Sequence, residues 1–105
     1  MINPGTGYLL TKVAGAGPDD VDTAVLSCEE AAKTWKQVPP FVKSSLMHKL
    51  ADKMMENMDE LATIESEDVG KTTAESMGDV GFSALILRYY AGLANNIHGK
   101  SYARD

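Results

Sequence analysis

Apolar side chains along this chain recur mostly with helical spacing. Val21, Val25, Cys28, Ala32 and Trp35 follow one another at intervals of four, three, four and three, which places them on one face of a helix. Pro18 and the acidic run Asp19, Asp20 and Asp22 open that helix, because proline has no amide to lose in a first turn and carboxylates complement the positive end of the helix dipole. The reading is a helix over 18–36 with its stripe buried, Cys28 included, and Glu29 paired with Lys33 outside it. Pro39-Pro40 ends it and opens a second helix over 40–57, where Met47, Leu50 and Met54, continued by Met58 and Leu61, form the inward stripe. Met54, Met55 and Met58 read as pliable core filling. Asn57 with Glu60 has the form of a capping pair, which predicts a break and a third helix over 59–68, stopped by Gly70.

Thr72 with Glu75 repeats the capping pattern and opens a fourth helix, read as running over 73–98 and closing at His98 and Gly99, where a histidine would meet the negative dipole end. This helix is apolar nearly all round. Met77, Val80, Ala84, Leu87, Ala91 and Ala94 make one face, and Phe82, Ile86, Tyr90, Leu93 and Ile97 make another. Such a helix is ordinarily covered on both sides. Three short amphipathic helices cannot surround it, so one apolar face is expected to remain open for a partner. Before the helices, Asn3-Pro4-Gly5-Thr6-Gly7 reads as a turn and Tyr8 to Val13 as a short strand. The fold class is therefore mostly α, with three to four helices preceded by a short turn and strand.

Composition narrows the partners. The 105 residues carry a formal charge of −5, which gives nucleic acid or an anionic membrane nothing to bind. Val80 to Ile97 is too short and too polar to span a bilayer. The start lacks a secretory signal, and the single Cys28 excludes an internal disulfide, so a cytoplasmic location is expected.

Tests for chemistry return little. Gly15 and Gly17 begin a nucleotide-loop pattern, but Asp20 stands where its third glycine belongs, beside further carboxylates that would repel a phosphate. Cys28 lacks a neighbouring base, and His48 with Asp52 one turn later falls short of a metal or general-base site. Glu65, Glu67 and Asp68 read as a solvated acidic run. No catalytic or cofactor-binding residue is assigned.

The order of short motifs is more informative than any one of them. Ile2-Asn3-Pro4-Gly5-Thr6-Gly7, Asp20 through Val25, Leu50-Ala51-Asp52, Asp59-Glu60-Leu61-Ala62, Glu65 through Lys71, and Arg88-Tyr89-Tyr90-Ala91-Gly92 resemble, in sequence and spacing, the N-terminal region of NAD(P)-dependent aldehyde dehydrogenases. The resemblance runs from Ile2 to about Tyr102 and leaves out Ala103, Arg104 and Asp105. It implies the opening part of that family's α/β NAD(P)-binding domain. The catalytic cysteine, the general-base glutamate, the oxyanion-stabilising asparagine and the glycine motif for the cofactor would all follow this segment. NAD or NADP is thus implied for the full-length family, with no cofactor held by these residues and no turnover expected from them alone.

By position the resemblance also implies that the Ile2 carbonyl and Asp68 are two ligands of a monovalent cation whose third ligand lies in a later segment. It places Phe82 on the helix lining the aldehyde entrance and gives Arg88, Tyr89 and Tyr90 structural roles. A rival reading is a stand-alone helical interaction module, docking through the last helix on a second copy or a full-length relative.

Overall fold

Prolines, aspartates and one threonine set the helix starts. The protein was analysed as a computed structural model, which describes residues 1–102; residues 103–105 lie outside the described part. Helix α1 runs Pro18–Trp35, α2 Pro40–Glu56, α3 Met58–Val69 and α4 Thr73–Leu93. The Asp20 carboxylate accepts from the Gly17 amide at 2.8 Å, so a side chain satisfies an amide at the start of α1. At α4 the cap is reciprocal: Thr72 Oγ1 accepts from the Glu75 amide at 3.3 Å while the Glu75 carboxylate accepts from the Thr72 amide at 3.0 Å.

The core is small in every sense. Helix α4 packs mainly on α2 and then on α3, while α2 and α3 barely touch each other. Ala51 from α2, Ala62 from α3, and Ser76, Val80, Ala84 and Ala91 from α4 are the buried side chains. Small residues at a crossing let helix axes come close, which is why α4 can lie between two neighbours. Met58 adds its methyl against Gly81, 3.7 Å from where a Cβ would stand. The stripe expected to lead the core is turned slightly away: Met47, Met54 and Met58 are half-buried, while Leu50 and Leu61 are exposed.

Helix α1 packs against none of the other helices among the described residues, and none of its residues is buried. The stripe Val21, Val25, Cys28, Ala32 and Trp35 is amphipathic as predicted but uncovered, and Cys28 is exposed. Its far end is held by the Lys43 ammonium, 5.3 Å from the centre of the Trp35 ring. The resulting shape is extended, with a radius of gyration of 19.3 Å, where a compact chain of this length would have about 13 Å.

Several local expectations need correction. The segment Tyr8 to Val13 forms no strand; among the described residues the only pairing is a single antiparallel bridge between Ile2 and Leu9. A two-stranded ribbon without a third strand or a helix beneath it is marginal, and Tyr8, Leu9 and Val13 all face solvent. Helix α4 stops at Leu93, short of His98. There the Ala94 amide reaches back only to Ala91 and the Asn96 amide to Leu93, while Asn96 Nδ2 takes the Gly92 carbonyl at 3.1 Å. The break at Asn57 is present without the capping pair, because Asn57 Nδ2 turns back to the Lys53 carbonyl at 2.8 Å. Lys33 pairs with Glu30 rather than Glu29.

Helix α3 ends at Gly70, whose φ of +82° lies in the left-handed region. A Cβ there would also stand 2.6 Å from Pro4 Cγ, because the N-terminal turn leans on this point. Gly70→Ala is therefore expected to cost at least about 1–2 kcal/mol from backbone strain, with displacement of Pro4 adding to it. Urea unfolding followed by far-ultraviolet circular dichroism checks this; an unchanged midpoint would show that neither the cap nor the turn contact matters.

Candidate functional site

The residues singled out by sequence fall in two places. The first is the α3–α4 junction. Asn3 Oδ1 accepts from the amides of Gly5 at 2.9 Å and Thr6 at 3.1 Å, which curls the N-terminal turn and sets Pro4 against Gly70. Ile2, 62% exposed, sits at the base of that turn, and Asp68 is exposed near the end of α3. The turn and the helix end are thus neighbours through Pro4 and Gly70. A main-chain carbonyl and a carboxylate are hard oxygen donors of the kind a monovalent cation takes, so the donor chemistry fits. Two donors are fewer than such an ion needs, and no group of three or more His, Cys, Asp or Glu side chains able to hold a metal occurs among the described residues.

Beside them lies an ionic cluster that periodicity did not reveal. Lys71 Nζ contacts Glu65 at 2.8 Å and also Asp79, bridging α3 to α4. Hydrogen bonds to Asp79 first and Glu65 second hold the Lys71 ammonium well above the ordinary lysine pKa. Ser66 Oγ donates to the Lys71 carbonyl at 2.7 Å and ties the same loop from behind. The Glu75 carboxyl is pushed down, chiefly by the Thr72 hydroxyl and then by the Thr72 amide.

The second place is α4 itself. Phe82 is 63% exposed on the side away from α2 and α3. A shallow groove of about 290 Å³ runs between the helices, lined by Met54, Leu61, Ile64, Val80 and Ser83 with acidic Glu65 and Asp79 at its rim. Phe82 does not line it. Arg88 donates to Asp52 Oδ1 at 2.8 Å and joins α4 to α2. Asp52 therefore serves Arg88; His48 is exposed on the same helix, and His98 stands beyond the helix it was expected to close. Tyr89 and Tyr90 meet edge to face with ring centroids 5.2 Å apart. Nothing in this geometry brings a nucleophile, a base and an oxyanion donor together: Cys28 lies on α1, which packs on no other helix.

Comparison with known proteins places this arrangement. The sequence pattern of the aldehyde dehydrogenase family matches residues 1–105, and so extends past Tyr102, where the motifs predict the resemblance to end, through Ala103, Arg104 and Asp105. An aldehyde dehydrogenase-like protein of Schizosaccharomyces pombe is 41% identical over 100 residues, covering 94% of this chain and 20% of that protein. An aldehyde dehydrogenase of Emericella nidulans is 42% identical over 102 residues, covering 96% of this chain and 20% of its own length. The crystal structure of PnpE in complex with nicotinamide adenine dinucleotide superposes with a TM-score of 0.93 at 35% identity, over 99% of this chain and 22% of PnpE. A structure of an aldehyde dehydrogenase-type protein from Burkholderia cenocepacia gives 0.93 at 34% identity, with the same coverage of 99% and 22%. The chain spans about a fifth of the length of the curated relatives it matches.

The cap at Thr72 supports a test of the local electrostatics. The Glu75 carboxyl is lowered, so its stabilising contribution is present above the usual glutamate range and is lost as the pH falls through the depressed value. Thr72→Ala should raise the Glu75 titration midpoint in carboxyl NMR and cost about 1 kcal/mol of stability; a midpoint unmoved by that substitution would exclude the reciprocal cap.

An unbroken sequence match, helices that superpose on solved relatives over almost every residue, and a Gly70 turn packed by Pro4 lead to one statement: the chain belongs to the aldehyde dehydrogenase family, as its N-terminal helical segment.

Proposed function

We propose that these residues act as the N-terminal scaffold of an NAD(P)-dependent aldehyde-oxidising architecture and do not turn over aldehyde by themselves. In the whole architecture the reaction is oxidation of an aldehyde to a carboxylic acid, with a cysteine thiolate as nucleophile and NAD(P) as hydride acceptor. The observation that carries this reading is the superposition on the NAD complex of PnpE over 99% of this chain but 22% of that one. The segment contributes walls and turns: α4 would present Phe82 to the aldehyde entrance, and the Ile2 carbonyl and Asp68 would give two oxygens to a monovalent cation. The lone Cys28 favours a reducing, cytoplasmic compartment. No helix among the described residues is long and apolar enough to cross a membrane.

A second reading, a helical module that docks on another protein, draws support from the open outer face of α4, where Phe82, Leu85 and Tyr89 are each about 60% exposed.

The purified 105-residue chain, incubated with a short aliphatic aldehyde and either NAD or NADP, should generate no reduced cofactor above the protein-free rate, and neither cofactor should shift its melting curve. Sustained, protein-dependent reduction would overturn the scaffold reading.

A further inference from the structure

We propose that Lys71 is a positioning residue, an ionic clasp that sets where α4, with Phe82, stands against the end of α3, with Asp68. The inference rests on the scaffold reading for what those two positions serve, and on the ion pairs alone for how they are held. Lys71 lies in the short connection from Gly70 to Thr72. Its main chain is tied back by Ser66 Oγ, which donates to the Lys71 carbonyl at 2.7 Å. From that fixed point the ammonium meets Glu65 of α3 at 2.8 Å and also donates to Asp79 of α4.

The cluster differs from an ordinary surface pair in three ways. Lys33 with Glu30 and Lys53 with Glu56 each stay within one helix, whereas Lys71 joins two. Its side chain is 28% exposed, against 40% for Arg88 and more for Lys33 and Lys53. It also answers two acids at once: both carboxylates reach the same nitrogen, so without the ammonium two like charges would face each other across the crossing. Hydrogen bonds to Asp79 and then to Glu65 keep the lysine pKa well above its ordinary value, so the clasp stays charged at neutral pH.

The packing around the clasp gives it something to do. On α3 and α4 the buried side chains are Ala62, Ser76, Val80, Ala84 and Ala91. Such small groups let two axes approach closely but offer shallow ridges to fix slide and rotation. Charge-assisted hydrogen bonds are directional and supply what the alanines lack. Glu65 precedes Asp68 by three positions on α3, and Asp79 precedes Phe82 by three on α4, so each anchor stands one turn from a residue given to the cation or to the entrance. Beyond Phe82, Arg88 holds α4 to Asp52 of α2. Phe82 therefore lies between two ionic anchors, and loss of the first frees the end of α4 that begins at Thr72. Half-exposed ion pairs contribute little stability, so the expected effect is a change of position and not unfolding.

Spin labels attached through Thr63→Cys on α3 and Leu85→Cys on α4, both exposed positions, in the 105-residue chain carrying Cys28→Ser, report the separation of the two helices by double electron–electron resonance. Lys71→Met should lengthen the mean separation by about 2 Å, the scale on which packed helices shift, and broaden its distribution with helical circular dichroism unchanged. Asp79→Asn, which leaves the arm from Lys71 to Glu65, should act in the same direction to a smaller degree. Lys71→Arg should restore the narrow distribution, because a guanidinium can serve both carboxylates. Lys53→Met removes the same charge from a pair within one helix and should move nothing. A separation unmoved by Lys71→Met and Asp79→Asn, one moved equally by Lys53→Met, one not restored by Lys71→Arg, or loss of helical signal in Lys71→Met would each overturn the clasp. The scaffold reading would survive any of these results, since its own test is cofactor reduction.

Discussion

The close approach of α4 to α2 and α3 governs the rest of the molecule. It is made through Ala51, Ala62, Ser76, Val80, Ala84 and Ala91, side chains with little apolar area to contribute. Burying one methyl group stabilises by about 0.8 kcal/mol, whereas burying a leucine or phenylalanine is worth about 1.5–3 kcal/mol. Most of the residues with the larger gain, among them Phe41, Leu50, Ile64, Phe82, Leu85 and Tyr89, remain outside. Tightness even leaves Ser76 Oγ buried without a hydrogen-bond partner among the described residues. The bundle is thus fixed by fit more than by apolar mass. Ion pairs such as Arg88 with Asp52 are half-exposed and contribute little energy, but they hold α4 in register on its neighbour.

What could be read from the sequence follows from how far each signal reaches along the chain. Pro18 with Asp20, Pro40, and Thr72 with Glu75 are local devices, and each marks its helix start. Apolar spacing continues through Ile97, but α4 closes at Leu93, where Asn96 shortens the last turn by offering other hydrogen bonds. Periodicity weighs leucine and methionine above alanine, so the inward side of α2 that it predicts is slightly rotated from the real one, where the contact selects Ala51 for its size. The stripe of α1 is real, but amphipathicity states only that a face is apolar and not that anything covers it.

The candidate site shows the same boundary. Ile2, Asp68 and Phe82 were reached through resemblance alone, since no residue pattern distinguishes them from ordinary turn, helix-end and helix-surface positions. The contacts that organise their surroundings are Pro4 on Gly70, Lys71 between Glu65 and Asp79, and Arg88 on Asp52. Each joins segments that a propensity or a spacing rule treats separately. The short stretch from Gly70 to Thr72 performs three tasks in succession: it ends α3, binds the acids of both helices, and caps α4.

The two sides of α4 consequently record different histories. At Ser76, Ala84 and Ala91 any enlargement collides with this chain's own helices, so the residues tolerated there report on the fold alone. At Phe82, Leu85 and Tyr89 the chain itself imposes almost no restriction, and the limits on exchange are set by whatever surface lies against them. A saturation library of this helix would therefore separate, position by position, the demands of self-packing from those of company.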